Sequence, residues 1–215
     1  MYNDDAGLGG AIDDAVLASR CVGSWPAQLK ALQEAEPRML EQEELELRGK
    51  AKGLGFGVAA LLFASAGRLL SLDLSDAGLG STEIAAVAGA LKALGSHSRL
   101  QTLKLNKNTV GPSGARALAK LVRGSECSLT SLELSSCDLC DSGRDTLGLE
   151  ELAEAFGVMN GVLTNLDIGY SSIGNEGATA LASALRVNGV LTKLSLFGNG
   201  IGDEGAKAIG GRGQP

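Results

Sequence analysis

Cys137-Asp138-Leu139-Cys140 has the two-residue gap that forms half of a zinc site or a redox pair. A structural zinc ion needs four ligands, and the supply here is short. Cys127 is the only nearby third sulfur, and His97 is the only histidine in the chain. A redox pair would open a helix, whereas this one spans the turn after a short strand-like run. Nucleophilic catalysis by a Ser–His–acid or Cys–His pair would have to use His97, which lies in Gly95-Ser96-His97-Ser98 with no partner indicated. Asp73 and Glu133 would fall two strands apart, about 10 Å by strand spacing, too far to share a proton. The glycine-rich stretch Gly53-Leu54-Gly55-Phe56-Gly57 lacks the Lys-Ser/Thr ending of a phosphate loop and the acidic residue that follows a dinucleotide site. It reads as a turn within a repeat. No catalysis, cofactor or metal is expected.

The elements that hold these residues recur. Shifted by 28 residues, Gly161-Val162-Leu163-Thr164 lands on Gly189-Val190-Leu191-Thr192, and Glu176-Gly177-Ala178 on Glu204-Gly205-Ala206. Such a period marks a stacked array. Each unit opens with alternating apolar residues: Leu69/Leu72/Leu74, Leu100/Leu103/Leu105, Leu129/Leu132/Leu134, Leu163/Leu166/Ile168 and Leu191/Leu194/Leu196. Period-two alternation over so few residues predicts a short strand with one buried face. The period then changes to 3.6. Ile84, Val87, Ala88 and Leu91 share one helix face, as do Ala115, Leu118, Ala119 and Val122, and Ala178, Leu181, Ala182 and Leu185. Strand and helix are both one-sided, so units must stack to bury them.

The spacing is uneven. Leu72 to Leu103 is 31 residues, Leu103 to Leu132 is 29, Leu132 to Leu166 is 34 and Leu166 to Leu194 is 28. The largest excess falls in a loop at Asp141–Thr146, after which Leu149, Leu152, Ala153 and Phe156 resume the helical stripe. A degenerate first unit takes Leu45-Glu46-Leu47 as strand and Ala59, Leu62, Phe63 and Ala66 as helix stripe, giving about five and a half units.

Three segments follow: a flexible tail at 1–23, a helical cap at 24–44 and the repeat array at 45–215. Ser24-Trp25-Pro26 is a helix start, with Ser24 as N-cap, Trp25 as a packing residue and Leu29 and Leu32 on one face. Met39, Leu40, Glu41, Glu43 and Glu44 continue in helical style after Pro37. At the other end, Gly210-Gly211 and Pro215 stop the last helix without a polar capping unit. The expectation is either that the chain is a fragment of a longer array, or that another chain covers the C-terminal edge after Ile209.

Composition narrows the partners. The net charge is −6, against the clustered Lys and Arg that nucleic acid requires. The start Met1-Tyr2-Asn3-Asp4-Asp5 is acidic, unlike a secretory or transit segment, and the most apolar run, 57–66, is too short to span a membrane. The four cysteines, Cys21 among them, are too few for a disulfide framework. A cytoplasmic protein without membrane insertion is expected.

The pattern Leu-Thr-x-Leu-x-Leu-x-x-Asn-x-Ile-Gly-x-Glu-Gly-Ala resembles a leucine-rich repeat of the ribonuclease-inhibitor type, similar to repeats of NOD-like receptors and of the Ran GTPase-activating protein. The resemblance covers roughly Leu45 to Ile209. It implies an α/β solenoid, a curved right-handed strand–helix array with parallel strands on the concave face and helices on the convex face. The turn position that is often Asn in such repeats reads Ala77, Asn108, Cys137, Ser171 and Asn199, which predicts a weakened turn ladder.

In that arrangement the strand residues opposite the Leu face line the concave surface. One column reads Asp73, Lys104, Glu133, Asp167, Ser195; the next reads Ser75, Asn106, Ser135, Gly169, Phe197. The expected function is a non-enzymatic protein-interaction module or scaffold. Its contact set is Asp73, Lys104, Lys107, Glu133, Asp167, Tyr170, Lys193 and Phe197, and it suits a basic segment or a subunit of a larger complex. The alternative is a GTPase-activating or other GTPase-regulating protein, from the likeness of Leu105–Pro112 to the Ran GTPase-activating protein. There the key Asn falls on Lys107.

Overall fold

The computed structural model describes residues 25–35, 37–52, 54–65, 67–157 and 161–211. The expected tail at 1–23, the Ser24 cap and Cys21 lie outside the described residues, as do the side chains of Trp25 and Leu32 and the expected stripe residue Ala66.

The alternating runs form three-residue strands: β1 (Glu44–Glu46), β2 (Ser71–Asp73), β3 (Thr102–Lys104), β4 (Ser131–Glu133), β5 (Asn165–Asp167) and β6 (Lys193–Ser195). They pair in chain order into one open parallel sheet. Each strand is centred on a leucine, and Leu45, Leu72, Leu103, Leu132, Leu166 and Leu194 stand in register across the sheet. Alternation turns this row into the core and the residues on either side of it away from the core.

Parallel neighbours need a crossover, and a helix supplies it. Helix α1 (Trp25–Ala35) precedes the sheet. The crossovers are α2 (Gly55–Ala64), α3 (Ser81–Leu94), α4 (Gly111–Val122), α5 (Leu147–Gly157) and α6 (Gly174–Val187); α7 (Asp203–Gly210) follows β6. Packed helices stand about 8–10 Å apart, whereas paired strands stand about 4.8 Å apart. Stacking the two layers therefore bends the array, with the strands inside the curve. The helix stripes read from the sequence in α3 to α6 are buried.

Four features depart from the sequence reading. Pro37–Glu41 is a turn and Glu44 begins β1, so the helical cap ends at Ala35. Pairing of Glu44–Glu46 with Ser71–Asp73 overrides the helical preference of the glutamates. Helix α2 is buried almost all round, not on one stripe, because α1 covers its outer side. The glycines there are not turn residues. Gly55 and Gly57 lie in the first turn of α2, and a Cβ on Gly57 would meet the Gln28 backbone at 2.7 Å. Their role is to let α1 and α3 approach; Gln28 Oε1 accepts the Gly57 N–H at 3.0 Å. The turn ladder is also stronger than its Asn count suggests. Asn108 Oδ1 accepts the N–H groups of Ala77 and Leu79, and its Nδ2 donates to Leu74 and Leu105 carbonyls. Cys137 Sγ donates to the Leu105 carbonyl, Ser171 Oγ to that of Leu134 and Asn199 Nδ2 to that of Ile168. Thiol and hydroxyl thus span the same gap from unit to unit, and only Ala77 lacks a side chain able to do so.

Candidate protein-binding surface

The concave face carries two polar columns. The first strand positions read Glu44, Ser71, Thr102, Ser131, Asn165, Lys193; the third read Glu46, Asp73, Lys104, Glu133, Asp167, Ser195. The third column is acidic and largely pre-set. Lys104 Nζ lies 3.7 Å from Glu133 Oε1, and Asn106 Nδ2 donates to Glu133 Oε2 at 2.8 Å. The carboxylates of Asp73 and Asp167 accept the N–H groups of Ser75 and Gly169. Side chains already held in place lose little freedom when a partner arrives. The Lys104–Glu133 pair is partly solvated, so its worth is at most about 1 kcal/mol.

The C-terminal end of this face is less polar. Tyr170 and Phe197 form an edge-to-face pair with ring centroids 5.2 Å apart. They remain 56% and 71% exposed, so the pair is only half used within the chain. Its setting is unusual. At an equivalent position in every unit the backbone is left-handed: Gly49, Asp76, Lys107, Ser136, Tyr170 and Gly198. This lets the N–H of that residue reach the next strand's loop; Tyr170 donates to the Phe197 carbonyl at 2.8 Å. Glycine takes the conformation freely, while a bulky side chain costs about 1 kcal/mol. Tyr170 takes it with φ +52, and its ring leans over Gly198, where a Cβ would meet it at 2.5 Å.

The anticipated residues are therefore only partly brought together. Glu133, Asp167 and Lys193 line one shallow depression of about 490 Å³, with Asn165 and Ser195. Lys104 joins it through Glu133, whereas Tyr170 and Phe197, in the loops after β5 and β6, do not line it. Asp73 is two strands away from Glu133, and Lys107 stands exposed in the loop after β3. The sequence reading missed Glu44 and Glu46, which extend both columns, although Leu45-Glu46-Leu47 already marked the strand that carries them. It also missed Thr102, Ser131 and Asn165, the other side of the same alternation.

The cysteines serve the core. Cys137 and Cys140 are buried free thiols, pushed up to about 11 and about 12. Burial is the main cause for both, and Asp138, Asp145 and Glu150 add to it at Cys140. Among the described residues no group of three His, Cys, Asp or Glu side chains is arranged to hold a metal ion. His97 Nδ1 lies 3.3 Å from the Leu94 carbonyl, at the foot of its own helix. No described helix is long and apolar enough to cross a membrane.

The last unit is open. Leu163, Leu166, Ile168 and Ile173 are at most 1% exposed, whereas Leu191, Leu194, Leu196 and Ile201, one unit later, are only partly buried.

An open parallel sheet with one helix per strand, a leucine row and a side-chain turn ladder defines a leucine-rich-repeat solenoid. Residues 97–119, 125–148, 160–182 and 187–210 match the Leucine Rich repeat family model, and the chain is a leucine-rich-repeat protein. It is 35% identical over 88 residues to the NACHT, LRR and PYD domains-containing protein 5 of Homo sapiens. Its repeats are thus similar to those of NOD-like receptors. The aligned stretch is 41% of this chain and 7% of that protein.

Proposed function

We propose that the chain is a non-enzymatic binding module, or scaffold, that holds a protein partner on the concave strand face. The observation that carries this is the exposed Tyr170–Phe197 pair, seated on a strained turn beside an acidic column. A tyrosine is costly where Gly49 and Gly198 stand in other units, and the fold gains little from a ring left half in water. Aromatic anchors next to polar residues are the usual form of an interface hot spot. Glu46, Asp73, Glu133 and Asp167 outnumber Lys104 and Lys193 on this face, which favours a basic segment, alone or as part of a larger complex. The half-buried edge at Leu194 belongs to the proposal as a second contact covered by polypeptide. A cytoplasmic setting suits the reduced Cys137 and Cys140. GTPase regulation is not included, since Lys107 offers a cation where the Ran GTPase-activating protein places an amide.

The test compares affinity capture by the wild-type chain, by the Tyr170→Ala/Phe197→Ala variant and by Val162→Ala, which removes a different exposed apolar side chain. A polypeptide held by the first and third but lost from the double variant supports the proposal. Equal retention by all three refutes it.

A further inference from the structure

One sizeable cavity lies away from the concave face. It is a groove of about 650 Å³ on the convex side, between α5 and α6. Its rim carries the carboxylates of Glu150 and Glu154 from α5 and Glu176 from the first turn of α6. Its floor is made of Ala180, Ala184 and Val187, and Val187 is 60% exposed. The two hydroxyls on the α6 wall are already engaged: Thr179 donates to the Asn175 carbonyl and Ser183 to the Thr179 carbonyl. They contribute mainly carbon surface to the groove. At one end Gly157 lies so near Ala184 that a Cβ would stand 3.3 Å from it, which closes the channel there.

The neighbouring seam shows what this one lacks. Between α4 and α5, Arg116 pairs with Glu151 at 2.8 Å and Arg123 with Glu154 at 3.3 Å. Carboxylates on one helix are matched by arginines on the next. On the groove side, Glu150 accepts the Thr146 hydroxyl at 2.6 Å and Glu154 is the carboxylate already shared with Arg123, but no Lys or Arg lines the groove to balance these two and Glu176; Arg186, in the last turn of α6, is not part of it. An apolar floor of small residues between acidic walls accepts a helix that brings a narrow apolar ridge with Lys or Arg on both sides. The acidic rim repels phosphate-bearing partners, and a chain of net charge −6 is poorly matched to it as a second copy.

We infer that the α5–α6 groove is a second docking surface, for a cationic amphipathic helix of a protein partner. It is separate from the concave face, so one chain can hold two partners at once.

The probe is a labelled amphipathic helical peptide with an Ala/Leu ridge flanked by Lys and Arg, titrated by fluorescence anisotropy at low salt. The inference expects saturable binding that weakens at least tenfold with Ala180→Arg, which fills the floor and adds a cation. Glu176→Lys, at an exposed first-turn position, should weaken it several-fold. Tyr170→Ala/Phe197→Ala should leave it unchanged, with circular dichroism confirming that each variant is folded. Binding that survives Ala180→Arg overturns the inference. So does equal binding of a peptide whose basic residues are scrambled around the helix, or of one with Glu in their place.

Discussion

Leu132 and Leu194 occupy the same register place, and the same substitution should cost very different amounts at the two. Leu132→Ala deletes three carbons from a site with no solvent exposure, at the centre of β4 between Leu103 and Leu166. The transfer term alone is about 0.8 kcal/mol per carbon, or about 2.4 kcal/mol. Leu rows on both sides prevent full collapse, and the residual cavity brings the total to about 3–4 kcal/mol. Leu194 loses the same atoms from a side chain that is only partly buried, with no further unit packed on it among the described residues. Little transfer energy is lost and no closed cavity forms, so about 1 kcal/mol is expected. Urea unfolding followed by circular dichroism measures both, provided the m-values agree with wild type. Equal costs would refute the one-dimensional stacking on which the register argument rests. A Leu132→Ala cost below about 1 kcal/mol would mean that the leucine row is not the core.

Other consequences are equally open to measurement. Asn108→Ala removes the side chain that satisfies two backbone N–H groups and two carbonyls, and should cost about 3 kcal/mol in the same urea assay. A cost near zero would show that water replaces the amide. The folded chain keeps the Cys137 and Cys140 protons that the unfolded chain, with thiols near the ordinary value of 9.0, releases above that pH. Their contribution is therefore complete below pH 9 and is lost as pH rises toward the folded values. The Tm difference between wild type and Cys140→Ala should shift against wild type from pH 8 to pH 11, and a constant difference would contradict the burial argument. Gly57→Ala should undock α1, seen as faster amide exchange in Trp25–Ala35, because the Gln28 backbone cannot give way; unchanged exchange would show that it can.

The array was legible because its signals are local and repeated. A leucine every second residue, then an apolar stripe at 3.6, fixes strand, helix and stacking unit by unit, whatever the loop lengths between them. What escaped depends on partners distant in sequence. Glu44 has a helix former's preference, yet its place is set by pairing with Ser71. Gly55 and Gly57 look like turn glycines until α1 and α3 are seen against them. Cys137 and Ser171 do not look like asparagine, but in a turn of this shape any short donor reaches the same carbonyls. On the concave face, alternation identified the third-position column, while the left-handed backbone that presents Tyr170 has no period-two or 3.6 signature. The α5–α6 groove could not be read at all, since it depends on how the two helices pack side by side.

The proposed mode of binding puts protein partners on the concave face at its aromatic end. Site-specific photocrosslinking in cell extract tests it directly, with a photoreactive residue placed in turn at Phe197, Lys193 and Glu133, and at Lys120, exposed on convex helix α4. Binding at this end gives one shared adduct from the three concave positions, strongest at Phe197 and absent at Lys120. The same adduct at Lys120, or none at Phe197, would contradict it.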